Sequence, residues 1–227
     1  MVDILESLTF KNFHKGLPES KIQEFWSFIN KNVNNFHKLS YDEIELNIGD
    51  VLQSFYNYTL RMEFIYKYSW SIPCKEAIDM ILKYTSGPLY DLLGGTGFWA
   101  KTIRNAGRSV IFYDLHKGKY NPYKHVKTHI PVTRRNALRA AYKFNQLNKP
   151  VNVILSWVPY DSTIGEHILN MIPIGSIVIW IGEGQGGCCG THKTFDIFNN
   201  QFKELDSMYL NQWVGLHDSI TIYKKIS

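Results

Sequence analysis

The sequence predicts an α/β fold in which a mostly parallel sheet, covered by helices on both faces, closes in an antiparallel pair and follows a helical preface. Two observations carry this. From residue 87 onward short apolar runs alternate with helical stretches, the pattern of strands buried on both sides. At the end, the runs 208–213 and 219–224 flank Val214-Gly-Leu-His-Asp218 and read as an antiparallel return. A chain of 227 residues that is 44% hydrophobic can bury one sizeable core, so one domain with additions is expected.

Residues 1–85 form the helical extension and 86–227 the Rossmann-like domain. Ile22, Phe25, Trp26 and Ile29 share one helical face, with Pro18 suited to a first turn. Ser40-Tyr-Asp-Glu43 is a capping box, and 50–68 reads as one long aromatic-rich helix. Pro73 breaks that pattern, and 75–83 forms a further helix with Ala77, Ile78 and Ile81 inward. In the domain, strands are expected at 88–93, 109–113, 125–129, 151–157 and 176–182. The helices should fall at 98–106, 134–147, 163–172 and 192–204.

The first strand runs into Asp91-Leu-Leu-Gly-Gly-Thr-Gly97, and the second ends on Asp114, 17 positions after Gly97. A strand, a glycine-rich turn, a helix and a second strand ending in a carboxylate form a Rossmann-type adenosine site. Gly95 and Gly97 let the backbone turn tightly and approach a ligand, and Asp114 is placed to accept from ribose hydroxyls.

Further motifs follow in order: Tyr68-x-Trp-Ser-Ile-Pro73, Gly95-Thr-Gly-x-Trp99, Tyr113-Asp114, Trp157-x-Pro-Tyr160, Gly182-Glu-Gly-x-Gly-Gly-Cys188 and Trp213-x-Gly-Leu-His-Asp218. On these, residues 60–225 resemble class I S-adenosylmethionine-dependent methyltransferases, and more closely a poorly characterised set of methyltransferase-fold proteins. The resemblance implies a class I methyltransferase sheet whose parallel strands end in an inserted antiparallel strand. It implies S-adenosyl-L-methionine as cofactor, with Asp91 near the methionine amino group, Gly94, Gly95, Thr96 and Gly97 lining the turn, Asp114 on the ribose, and Ser156 and Trp157 beside the ligand. One position departs from the pattern: Leu93 stands where such enzymes usually keep glycine.

Methyl transfer from a sulfonium is an in-line displacement, so alignment and exclusion of water come before acid–base chemistry. Ser156-Trp-Val-Pro-Tyr160 echoes the polar-Pro-Pro-aromatic motif of amino-group methyltransferases, with Trp157 at its polar position and Val158 replacing the first proline. Trp157 and Tyr160 offer an aromatic wall for a flat acceptor or a sulfonium. Glu183, in a loop with five glycines among nine residues, is the leading polar active-site candidate, as general base or anchor. His217 beside Asp218 is a second acid–base candidate, weighed against a turn-capping role. Trp70 and Pro73 suit either a lid or packing between helix and domain. Cys188 and Cys189 with His192 lack zinc-site spacing, so no metal is expected, and Cys188 as nucleophile has no visible activating partner.

The formal charge of +5 is scattered along the chain, and a mildly basic surface explains it. Lys117, Lys119, Lys124 and Lys127, interleaved with Tyr120, Tyr123 and His125, offer a short basic-aromatic stretch that also fits an exposed loop. Three cysteines make no disulfide framework, and no signal segment or membrane-length apolar run is present, so a cytoplasmic protein is expected. The acceptor is left open, with a planar small molecule favoured over nucleic acid or protein. The alternative reading is a catalytically degenerate methyltransferase-fold scaffold, prompted by Leu93 and Trp157. An NAD-dependent oxidoreductase is weaker, because the antiparallel ending and the lack of a second substrate domain argue against it.

Overall fold

The computed structural model describes residues 16–55, 57–115, 126–147 and 149–227. Four helices come first: α1 (Glu19–Asn32), α2 (Tyr41–Leu52), α3 (Tyr58–Lys67) and α4 (Lys75–Tyr84). The domain continues as β1 (Leu89–Asp91), α5 (Phe98–Asn105), β2 (Val110–Phe112), α6 (Ala137–Leu147), β3 (Asn152–Ser156), α7 (Ile164–Met171), β4 (Ile177–Gly182), α8 (His192–Gln201), β5 (Phe202–Tyr209) and β6 (Ser219–Lys225).

The sheet order is β2-β1-β3-β4-β6-β5. The first four strands are parallel, and β6 is inserted antiparallel between β4 and β5. This is the expected Rossmann-like sheet with an antiparallel ending. Side-chain alternation divides the core into two layers. Ile154, Ile179, Ile181, Ile220 and Ile222 face α1–α5, whereas Val153, Leu155, Val178 and Trp180 face α6–α8.

The helical extension is a layer of this core. Phe25 and Phe64 pack on Trp213 with ring centroids 5.8 and 5.7 Å away, and the Val214 amide donates to the Leu52 carbonyl at 2.8 Å. The capping box forms as expected, with the Glu43 amide donating to Ser40 Oγ at 3.1 Å and Glu43 Oε2 accepting from the Ser40 amide at 2.8 Å.

Three expectations need correction. The helix expected over 50–68 is two helices, because Asn57 turns its side chain back onto the Val51 and Leu52 carbonyls at 2.8 and 3.0 Å and ends α2 there. The final antiparallel strand expected at 208–213 runs over Phe202–Tyr209. On this sheet edge Phe202 alone is buried, and Lys203, Glu204 and Asp206 give the segment the charged pattern of a helix end, which is why the sequence predicts α8 to continue to 204. The strand expected at 125–129 does not form: 126–129 are irregular, residue 125 lies outside the described residues, and a single parallel bridge, Tyr113↔Thr133, flanks β2 instead. The basic-aromatic stretch of 117–125 also lies outside the described residues.

Candidate functional site

A cavity of about 600 Å³ opens at the carboxyl ends of β1 and β3, where ligands of open α/β sheets collect. The turn after β1 forms its floor. Gly95 and Gly97 both have left-handed backbone, with φ of 56 and 75°. Gly94 is required for another reason: a Cβ there would lie 2.4 Å from Asp91 Oδ2 and 2.6 Å from Phe112 Cδ2. The Gly95 amide donates to Asp114 Oδ2 at 3.1 Å, tying the turn to the end of β2. Thr96 Oγ1 donates to the Tyr68 carbonyl, which fixes the floor to the helical extension. Leu93 is half-buried, packs against the sheet layer that faces α6, and lines the cavity.

Asp91 is the electrostatic anomaly of this floor. Its side chain is fully buried yet lines the cavity, and neither carboxylate oxygen has a hydrogen bond of acceptable geometry. Burial first, and the neighbouring Asp114 charge second, push its pKa up to about 8 against a small opposing pull from the Leu93 amide. An uncompensated buried carboxylate is destabilising unless a cation or donor meets it.

The opposite wall comes from the extension and the end of β3. Trp70 and Trp157 stack with centroids 4.7 Å apart and planes at 20°, and Trp157 Nε1 donates to Ser71 Oγ at 2.7 Å. Trp157 has φ of 46°, unfavourable for a bulky residue, and this turn sends its ring toward Trp70. The Arg61 guanidinium, from α3, lies 5.5 Å from the Trp70 centroid and 5.8 Å from that of Trp157. Tyr160 sits at the rim, 64% exposed, and Ser156 also lines the cavity.

Asp91, Gly94, Gly95, Thr96, Asp114, Ser156, Trp157 and Tyr160 therefore share one cavity. Gly97 stands behind the floor as the N-cap of α5. Trp70 belongs to the wall, and Pro73 is buried away from it.

Glu183 and His217 do not join them. Glu183 is buried and does not line the cavity, its Oε2 accepting from the Cys188 amide at 2.7 Å and its Oε1 from the His217 amide at 3.0 Å. It clamps two loops together, and with both oxygens engaged it is not placed as a general base. The glycine-rich loop wraps this carboxylate: a Cβ at Gly187 would stand 2.5 Å from Glu183 Cβ. His217 is exposed and outside the cavity lining, whereas Asp218 beside it is buried, so the pair does not act as a unit. Burial and the nearby Glu183 charge push the Asp218 carboxyl up to about 7.

Cys188 reaches the cavity, but burial and the Glu183 carboxylate raise its thiol pKa, the opposite of what an activated nucleophile needs. Among the described residues no group of three or more histidine, cysteine, aspartate or glutamate side chains is placed to hold a metal, and no helix is long and apolar enough to cross a membrane.

Sequence reasoning passed over Arg61. The available signal was its place on the same helical face as Phe64 and Ile65, both fully buried, where a charge is out of character.

No protein-family model matches the chain, and no curated protein sequence matches it. Solved structures do resemble it. The N-methyltransferase NodS from Bradyrhizobium japonicum WM9, in complex with S-adenosyl-L-homocysteine, is 11% identical, with 67% of this chain and 87% of that chain covered and a TM-score of 0.42. TYW2 from P. horikoshii, in complex with MeSAdo, is 13% identical over 67% of this chain and 62% of that one, also with a TM-score of 0.42. TehB from Haemophilus influenzae is 10% identical, covering 73% of this chain and 66% of that one, with a TM-score of 0.42. At such overlap these likenesses add no weight to the geometry. Strand order and direction on their own make this a mostly parallel Rossmann-like sheet with an inserted antiparallel strand.

Proposed function

We propose that the protein binds S-adenosylmethionine in this cavity and transfers its methyl group to an acceptor held against the Trp70–Trp157 wall. The observation that carries the reading is the buried Asp91 carboxylate, which has no hydrogen bond of acceptable geometry and lies under a turn where Gly94 leaves no room for a Cβ. An ammonium group there would supply the missing counter-charge. Asp114, already holding the Gly95 amide, is the candidate for ribose hydroxyls, and Leu115, Asn136 and Ala137 extend the cavity beyond it for a flat base.

The bound cofactor supplies an electrophilic methyl group on a sulfonium. The chain's own tasks are then orientation and exclusion of water. Trp70 and Trp157 line the cavity as an aromatic wall against which a planar acceptor can be aligned. With Glu183 committed to its clamp, the reading does without a dedicated general base. It therefore favours acceptors that present a lone pair at neutral pH, such as a neutral amine, a ring nitrogen or a thiolate.

Calorimetric titration of the full chain with S-adenosylmethionine tests this. Binding that weakens at least tenfold in Asp114→Ala supports the reading, and absence of binding by folded wild-type protein overturns it.

A further inference from the structure

Arg61 is a charged group of the cavity lining, which also holds Arg135 and Asp161, for which the site described above has no use. It lies in α3 of the helical extension, and its guanidinium lines the cavity. Its Nε is buried without a hydrogen-bond partner, and among the described residues no carboxylate forms an ion pair with it. The Asp218 and Glu183 carboxylates act on it only through longer-range attraction. The faces of Trp70 and Trp157 hold it in place. An arginine already desolvated, held by two rings and short of acceptors is pre-organised for a planar, bidentate anion, and the group matching that fork is a carboxylate.

We propose that Arg61 is the carboxylate anchor of the cavity. Across the same cavity stands the Asp91 carboxyl, neither of whose oxygens has a hydrogen-bond partner. A guanidinium and a buried carboxyl that can ionise against an ammonium, facing one space, complement the two ends of an α-amino-acid head, as carried by S-adenosylmethionine. This source of the carboxylate rests on the cofactor reading above. The other source is a carboxylate on the acceptor, stacked on the tryptophan wall. On either source the helical extension supplies a ligand contact in addition to covering the sheet.

The test uses the full-length protein and three probes: S-adenosylmethionine, its decarboxylated analogue, which keeps the ammonium and lacks the carboxylate, and benzoate. If the carboxylate is the cofactor's, wild-type protein binds S-adenosylmethionine at least tenfold more tightly than the decarboxylated analogue. Arg61→Gln abolishes that preference by weakening only the former, and Arg61→Lys, a point charge without the fork, keeps part of it. If the carboxylate is the acceptor's, Arg61→Gln keeps the cofactor preference unchanged. Benzoate then binds wild-type protein saturated with S-adenosylhomocysteine and fails to bind the variant.

The wild-type comparison of the two sulfonium probes needs no variant to fold. Equal binding of the two, together with no benzoate binding, overturns the anchor. Should wild-type protein bind neither sulfonium, the cofactor reading fails alone: benzoate binding to the ligand-free protein that is lost in Arg61→Gln still supports the anchor, and its absence overturns it.

Discussion

Replacing Asp91 with asparagine should make the protein more stable at alkaline pH while removing its affinity for the cofactor. The carboxyl titrates at about 8 in the fold against 3.8 ordinarily. Between those values the folded state binds more protons than the unfolded chain, so stability is fully present below pH 4 and is lost as pH rises toward 8. Each pH unit corresponds to about 1.4 kcal/mol, so the charged form costs the fold on the order of 5 kcal/mol at pH 9. Asparagine has the same shape and no charge, but its buried amide lacks partners, at a cost of about 1–3 kcal/mol. The two effects nearly cancel at pH 5, where only about 1–2 kcal/mol of the charge penalty has developed. At pH 9 Asp91→Asn should be more stable by about 3 kcal/mol. Urea denaturation at pH 5, 7 and 9 reads this as a gap that opens with pH, and other groups such as Asp218, raised to about 7, cancel in the comparison. Titration with S-adenosylhomocysteine should show affinity reduced at least a hundredfold, as removal of one partner from a buried charge pair costs about 3–5 kcal/mol. Parallel stability curves, or undiminished affinity in the variant, would refute the reasoning.

Other outcomes follow from individual contacts. Gly94→Ala drives a methyl group into Asp91 and the buried Phe112 ring and should destabilise the fold by about 1–3 kcal/mol, visible as a lower urea midpoint together with weaker cofactor binding. Glu183→Gln keeps one acceptor for two amides and should lower the urea midpoint by about 1–3 kcal/mol in stability; a fold of unchanged stability with an altered pH profile of methyl transfer would restore Glu183 as a base. Alkylation by iodoacetamide at pH 7 should modify Cys188, which is exposed, before the buried Cys74 and Cys189. S-Adenosylhomocysteine should slow that reaction because Cys188 lines the cavity, and equal rates with and without ligand would place the ligand elsewhere.

Local rules made much of this fold readable. The capping box at Ser40 and Glu43, the apolar face of Ile22, Phe25 and Ile29, and the continuous apolar runs of β3 and β4 each announce their element by period or cap. Where tertiary context overrode local pattern, reading failed. Asn57 ends α2 through bonds to carbonyls five and six residues earlier, and β5 is an edge strand whose exposed lysine and acidic residues resemble the end of a helix. The site divides in the same way. The floor from Asp91 to Asp114 is a contiguous strand-turn-helix-strand unit, so spacing along the chain was enough to place it. The wall was not contiguous. Arg61 and Trp70 meet Trp157 only because the extension packs on the sheet, and the clamp role of Glu183 depends on amides five and 34 residues away.

The central claim, that the buried Asp91 carboxylate awaits the ammonium of an S-adenosyl ligand, is tested most directly by proton release on binding. With the carboxyl at about 8, roughly nine-tenths of it is protonated at pH 7, and an incoming ammonium should ionise it. Titration of the full chain with S-adenosylhomocysteine at pH 7, in buffers of different ionisation enthalpy, should therefore show one site with close to one proton released. Binding without proton release, or no binding at all, would contradict the account.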